Sequence, residues 1–94
     1  MTVTSLYEIG TNVCFYRMKY KKINNKIVTK KGIEWGKIIN AIYTSDRNLW
    51  RYVIQYIVKE NNVTKKCICI REEGEVALNS QILDQIKELY NNGN

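Results

Sequence analysis

The sequence contains no histidine, no proline, three cysteines and only five glycines. Without histidine the chain lacks the commonest general acid–base and metal ligand, and Ser–His and Cys–His nucleophile pairs are excluded. Three cysteines cannot supply the four ligands of a tetrahedral zinc site. The glycines form neither GxGxxG nor GxxxxGK, so there is no phosphate-binding glycine loop. We therefore expect no metal, no cofactor and no enzymatic activity.

The cysteines and the amino-terminal residues indicate the compartment. Cys14, Cys67 and Cys69 are odd in number and lack the spacing of a disulfide framework, which is typical of reduced thiols. The first ten residues have no basic, apolar leader. No run approaches the roughly 18 apolar residues of a membrane span. We expect a cytoplasmic protein that does not bind membranes.

Length and net charge bound the fold and the partner class. A chain of 94 residues has the size of one domain, so we expect residues 1–94 to fold as a single unit. Fifteen basic residues against nine acidic ones give a net charge of +6. This excess favours acidic partners such as nucleic acid, nucleotides or an acidic protein surface, although it also keeps a small protein in solution.

The positive charge is concentrated in one stretch that also carries aromatic residues. Residues 17–37 contain eight basic residues and one acidic residue, Glu34. From residue 72 onward the balance reverses, with five carboxylates against one lysine. Aromatic rings stack on bases and basic side chains neutralise phosphates. The stretch therefore predicts a surface for phosphate-bearing ligands.

The hydrophobic pattern predicts antiparallel strands followed by one helix. Period-two alternation and turn residues place strands at 12–20, 34–43, 49–59 and 63–71, a hairpin over 20–32 and a short last strand at 76–78. The hairpin turn falls at Asn24-Asn25, and residues 60–62 form another turn. Asn79 or Ser80 is expected to cap a helix over about 80–91. Gly32 is expected to separate the hairpin from the next strand.

The resulting fold class is mainly β, with one carboxy-terminal helix. A strongly bent antiparallel meander of four to five strands most often closes into a small barrel. The strand at 49–59 carries apolar residues on both faces, since Val53 and Ile57 lie opposite the expected core face. Either the helix covers that second face, or another copy of the chain does so in a homo-oligomer.

Four short segments resemble small SH3-like barrels found in phages and mobile elements of low-GC bacteria. They are Ile9-Gly-Thr-Asn-Val-Cys-Phe15, Trp35-Gly-Lys-Ile-Ile39, Tyr52-Val-Ile-Gln-Tyr56 and Cys67-Ile-Cys-Ile70, and together the resemblance covers residues 9–78. It implies a non-enzymatic module in the host-cell cytoplasm. Proteins of this kind counter host defence by sequestering nucleotide signals or by occupying the nucleic-acid channel of a nuclease.

The candidate ligand residues are the aromatic and basic side chains of the charged stretch and of the segment around Trp50. The rings expected to stack are Tyr16, Tyr20, Trp35 and Trp50. The cations expected to hold phosphates are Arg17, Lys19, Lys22, Lys37, Arg47 and Arg51. The other interpretation is a solvated hairpin whose aromatic residues, both tryptophans included, belong to the core.

Three functions follow from these observations. The first is a binding protein for a phosphate-bearing ligand, either a nucleotide messenger or nucleic acid. The second is a protein-interaction module or inhibitor whose basic face docks on an acidic or nucleic-acid-binding surface of a host protein. The least favoured is a hydrolase built on Glu72, Glu73, Glu75 and Asp84, because three of these carboxylates lie in a solvated turn.

Overall fold

The computed structural model describes residues 5–85. Its strands are β1 (Asn12–Ile23), β2 (Lys26–Thr44), β3 (Leu49–Glu60), β4 (Val63–Glu72) and β5 (Val76–Ala77). A single 3₁₀ turn, Glu73–Glu75, joins β4 to β5, and residues 80–85 belong to a helix, α1. The prediction of a mainly antiparallel β protein with a helix after the last strand is confirmed. Residues 86–91 of the expected helix lie outside the described residues.

The strands form one open antiparallel sheet in the order β4-β3-β2-β1-β5. Asn24 and Asn25 make the β1–β2 turn with φ values of 49° and 63°, and Asn61 and Asn62 make the β3–β4 turn with 50° and 64°. Asparagine tolerates this left-handed region, and two such residues in succession form a turn whose twist matches that of a hairpin. Both asparagine turns expected from the sequence are confirmed.

β2 is one continuous strand of 19 residues, although the sequence predicts a break at Gly32. Gly32 pairs with Arg17 of β1 within an uninterrupted ladder. A Cβ atom at Gly32 would lie 3.1 Å from Cε of Lys19, whose aliphatic chain passes over the glycine. The missing side chain therefore makes room for a neighbour and does not end the strand. The predicted break at Gly32 is wrong for this reason.

A β-bulge in β2 changes which residues face the core. The register of β2 with β3 shifts between Ile38 and Asn40, which leaves Ile39 as an extra residue. One extra residue moves the side-chain alternation by one position. Ala41 consequently packs against the same core cluster as Ile38. The strict alternation predicted for residues 34–43 is wrong beyond this point.

The main core lies on one face of the sheet, which we call the inner face. Its fully buried members are Val13, Phe15, Ile38, Tyr52, Ile54 and Val76. The Phe15 ring meets the Tyr56 ring edge-on, with centroids 5.6 Å apart. The segment before β1 closes over the core, because the Leu6 N–H donates to the Tyr52 hydroxyl at 3.1 Å. Four of the five strands supply these fully buried residues, and Cys69 of β4 packs against them.

The opposite, outer face is covered by α1 at one end. Leu83 of α1 packs with Cys14 of β1 and Ala77 of β5 in a second buried cluster. The Ile82 N–H donates to the side-chain oxygen of Asn79 at 2.8 Å, which satisfies a backbone donor at the start of the helix. The Asn79 cap expected from the sequence is thereby confirmed. α1 lies against β1 and β5.

Candidate functional site

The β1–β2 hairpin continues past the core as a two-stranded ribbon. Every residue from 18 to 31 is exposed, and strand pairing runs uninterrupted to Ile23↔Lys26 at the turn. We call residues 18–31 the lysine ribbon. It contains six lysines and no acidic residue: Lys19, Lys21, Lys22, Lys26, Lys30 and Lys31. Since the ribbon buries no side chain, the packing of the core does not explain its composition.

Lysine side chains of the ribbon face one another. Lys19 pairs directly with Lys30 across the two strands, so both ammonium groups lie on the same side of the ribbon. Like charges directly opposite each other destabilise a strand pair. The two ion pairs found within residues 5–85 involve Arg17 and Arg47, which lie outside the ribbon. A bound anion would relieve this repulsion.

The sequence-based site omits four of the ribbon lysines: Lys21, Lys26, Lys30 and Lys31. The signal that could have found them is the absence of any carboxylate between residues 18 and 31. Combined with the hairpin prediction, that absence indicates that both arms carry positive charge side by side. The sequence-based site took only one arm of the hairpin.

The outer face of β1 and β2 brings five of the ten expected ligand residues together. They are Tyr16, Tyr20, Lys22, Trp35 and Lys37. Tyr20 is 72% exposed and Trp35 is 49% exposed, so both rings are open to solvent. The Tyr16 ring lies under Lys31, whose Nζ is 4.7 Å from the ring centroid, and its hydroxyl donates to the Asp84 carboxylate. Tyr20 and Trp35 are therefore the rings that remain available for stacking.

Three other expected residues, Arg17, Lys19 and Trp50, lie on the inner face. Arg17 Nη2 donates to Glu34 at 2.8 Å, and its guanidinium stands 5.3 Å from the centre of the Tyr56 ring. Its charge is already balanced within the protein. Trp50 packs against the core, with its Nε1 buried and without a hydrogen-bond partner among the described residues. Arg17 and Trp50 thus contribute to internal packing.

Arg47 and Arg51 lie at the other end of the sheet from the ribbon. Arg47 follows β2 in the turn before β3, and its Nη1 donates to Glu72 at 3.0 Å. Arg51 lies opposite Glu72 in the β3–β4 register. Both cations expected to extend the basic surface therefore lie beside the same carboxylate, and Arg47 lines a cleft together with Lys31 at the base of the ribbon.

A cleft of about 810 Å³ opens between the base of the ribbon and the 3₁₀ turn. Its lining carries both signs of charge: Arg17, Lys31, Arg47, Arg71, Glu72, Glu73 and Glu75. Arg71, which the sequence-based site omits, stands 5.1 Å from the Phe15 ring and donates from Nη2 to the Tyr16 carbonyl at 3.4 Å. The alternation of β4 places it on the inner face. Because its cations are engaged by protein groups, the cleft offers little unbalanced positive charge.

Two of the cysteines are held in their neutral form. Desolvation by burial raises the pKa of the Cys14 thiol, whose Sγ donates to the Ala77 carbonyl at 3.4 Å. Burial also raises the pKa of Cys69, more than the nearby Arg71 and Arg17 lower it. The thiolate is the reactive form of cysteine, so both environments disfavour nucleophilic chemistry. Residues 5–85 contain no group of three or more metal-ligating side chains placed to hold an ion.

The chain matches no protein-family model, no curated protein and no solved structure. Within the part of the chain that the structure describes, no helix has the length and apolar character needed to cross a membrane. The functional argument therefore rests on the residues of this chain, above all on the lysine ribbon and the two exposed rings beside it.

Proposed function

We propose that this protein is a non-enzymatic module that binds nucleic acid through the lysine ribbon. The observation that carries the proposal is the exposed hairpin with six lysines and no carboxylate. Phosphates supply the missing negative charge, and the released counterions drive the association. The directly opposed Lys19 and Lys30 gain most from a phosphate placed between them.

Tyr20 and Trp35 add base stacking on the side of the hairpin opposite to Lys19 and Lys30. Both rings lie on the outer face, on the side of the ribbon that also carries Lys22 and Lys37. Stacking of a base on an aromatic ring contributes about 1–3 kcal/mol and tolerates any sequence. A single strand, whose bases are unstacked, uses these rings better than a duplex does. Single-stranded nucleic acid is accordingly the preferred ligand.

A polymer fits this distribution of charge better than a single nucleotide. The ribbon carries its lysines along six successive cross-strand pairs, a length of roughly 20 Å at about 3.4 Å per residue. One nucleotide messenger reaches only a fraction of that length. The cleft of about 810 Å³ is large enough for a nucleotide, but Arg17 and Arg47 are already ion-paired there.

The same proposal includes a sheet that curls into a small SH3-like barrel. β4 and β5 stand at opposite ends of the strand order, yet the three residues Glu73–Glu75 join them. Arg71 at the end of β4 also reaches the Tyr16 carbonyl of β1. These two contacts favour a sheet curled toward closure. A role in countering host defence stays a prediction from the resemblance, and so does a cytoplasmic location.

The proposal predicts a steep salt dependence that originates in the ribbon. Binding of labelled single-stranded and duplex oligonucleotides is measured by fluorescence anisotropy over a range of salt concentrations. For single strands, each phosphate contact contributes about 0.7 to the slope of log affinity against log salt. The double variant K21Q/K30Q should bind more weakly and lose roughly 1 to 1.5 from that slope, because it removes two contacts.

The matched control is K59Q/K65Q, which removes the same charge from exposed lysines of β3 and β4. It should leave the slope unchanged. Equal losses in both variants would mean that only net charge matters and that the ribbon is not the site. If neither oligonucleotide binds while an acidic protein is captured, the docking module is the better assignment.

A further inference from the structure

β4 is an edge of the sheet that lacks the usual protection along its second half. It pairs with β3 on one side, and no described strand pairs with it on the other. Two of its outward backbone groups have side-chain partners, since the Ile70 carbonyl accepts from Arg71 Nη1 and the Glu72 N–H donates to Glu75 Oε1. A further strand can pair with this edge once it replaces those two contacts. Proteins usually guard such edges with charged residues, proline or a covering element. Lys65 and Lys66 place charge on the first half of β4, which disfavours pairing with another strand. The second half, Cys67-Ile-Cys-Ile70, is uncharged.

The outer face of this edge is apolar and exposed. Ile68 and Ile70 of β4 are 63% and 56% exposed, and Val53 of β3 pairs directly with Ile70. Ile57 extends the same surface along β3. Leu83, the buried anchor of α1, packs at Cys14 and Ala77, not on these residues. Residues 80–85 of α1 therefore do not cover this surface, which favours a second copy as its cover.

We propose that β4 pairs antiparallel with β4 of a second copy around a two-fold axis at Cys69. In such a pairing, residues on the same face must lie opposite each other, so the axis passes through a residue position. With the axis at Cys69, Ile68 lies opposite Ile70 of the second copy, and Lys66 lies opposite its Glu72. The symmetric pairing creates two Ile–Ile pairs and two Lys–Glu pairs on the outer face.

The neighbouring registers are less favourable. An axis at Ile68 places Lys65 opposite Arg71, which sets like charges against each other twice. An axis at Cys67 places Lys66 opposite Ile68, and an axis at Ile70 places Glu72 opposite Ile68. Neither register forms an ion pair within β4. Glu72 already accepts a hydrogen bond from Arg47 on Oε1, and a carboxylate has a second oxygen for Lys66 of the other copy. Charge complementarity therefore selects the register centred on Cys69.

Sedimentation velocity of the full chain tests this interface, and charge exchange tests its register. The wild type should show a concentration-dependent dimer. K66E turns two attractions into two repulsions and should raise the dimer dissociation constant roughly tenfold. K66E/E72K should restore dimerisation, whereas K59E, with the same charge change on β3, should leave it intact. A wild type that stays monomeric, or a K66E variant that dimerises normally, overturns the proposal.

Oxidative cross-linking provides a readout that does not depend on changed charges. Directly opposed residues of antiparallel strands have Cα atoms about 4.5–5.5 Å apart, within the range that a disulfide spans. Under mild oxidant, C67S, which keeps Cys69, should form a covalent dimer, while C69S should not. The reverse pattern, a covalent dimer of C69S but not of C67S, excludes an axis at Cys69. Neither experiment involves nucleic acid, so its outcome is independent of the function proposed for the ribbon.

Discussion

Gly36 and Gly32 lie on the same face of β2, yet a methyl group at each would meet a different neighbour. At Gly36 the added Cβ would lie 2.5 Å from Cγ2 of Ile54 and 2.8 Å from the Gln55 carbonyl oxygen. At Gly32 it would meet only the flexible side chain of Lys19, at 3.1 Å. The first glycine makes room for buried β3, and the second accommodates a surface side chain that can move away.

We therefore expect opposite outcomes for two alanine substitutions. Gly36→Ala overpacks the contact between β2 and β3 and should lower the free energy of unfolding by about 1–3 kcal/mol. Gly32→Ala should change it by less than about 1 kcal/mol, because Lys19 can shift and alanine restricts the unfolded chain. Urea unfolding of both variants measures the difference. Equal destabilisation would mean that β2 and β3 are not packed as closely as described.

At the scale of single elements, the lysine ribbon is separable from the rest of β1 and β2. Its residues 18–31 bury nothing, while Val13 and Phe15 on the same strand are fully buried. Strand pairing runs along its whole length to the two positive-φ asparagines at its tip. One part of the β1–β2 hairpin therefore packs the core, and the other part is exposed to solvent.

Shortening the hairpin should abolish binding and leave the fold intact. Arg17 and Gly32 are directly paired, so an Asn-Gly turn can replace residues 18–31 and join them as a shorter hairpin without the ribbon. We expect a thermal midpoint within a few degrees of the wild type and no measurable affinity for single-stranded oligonucleotides. Circular dichroism during heating measures the thermal midpoint, and the anisotropy assay measures the affinity. Loss of the fold would show that the ribbon supports the core.

For the whole molecule, burial makes alkaline pH the destabilising direction. The pKa values of Cys14, Cys69, Tyr7 and Tyr56 are all raised, in each case mainly by desolvation. A raised pKa contributes stability that is complete below the ordinary pKa and is lost as the pH rises through the raised value. The thermal midpoint should thus begin to fall near the ordinary thiol pKa of 9.0 and fall further near the tyrosine value of 10.0.

A thermal midpoint that stays constant across this range would contradict the burial of these groups. C69S provides the control, because it removes one titrating thiol from β4 and should reduce the first part of the decrease. The tyrosine part of the decrease should remain. The same variant serves in the cross-linking experiment, so both measurements can share one preparation.

Across the whole chain, local signals predict the strands and turns, while the faces depend on long-range pairing. The asparagine turns, the Asn79 cap and the antiparallel meander follow from residue types and alternation. Trp35 shows where this reasoning fails. Strict alternation groups it with Ala41 and suggests an inward ring, but the extra residue Ile39 separates the two onto opposite faces. A bulge depends on how two strands pair, and the alternation of residues along one strand does not reveal it.

The candidate site could be predicted as a charged hairpin but not as a set of contacts. Composition is enough to identify the acid-free stretch between residues 18 and 31. The partners of Arg17 and Arg47 come from Glu34 and Glu72, which lie far along the chain and approach only when the sheet forms. The fold therefore determines which cations are ion-paired within the protein. Composition alone overestimates the number of cations that can bind a ligand.

The bulge at Ile39 also determines where the gene for this protein can lose codons. Deleting codon 39 would remove only the unpaired residue, so Asn40 could keep its pairing with Val53 and Ala41 its pairing with Tyr52. Deleting codon 41 would instead turn residues 42–44 over, since one residue inverts every later side chain in a strand. The lysine ribbon tolerates paired losses, because codons lost in matched numbers from its two arms leave the remaining pairs in register. Deletions in diverging lineages should therefore accumulate at position 39 and at the tip of the hairpin, and spare the paired positions that follow the bulge.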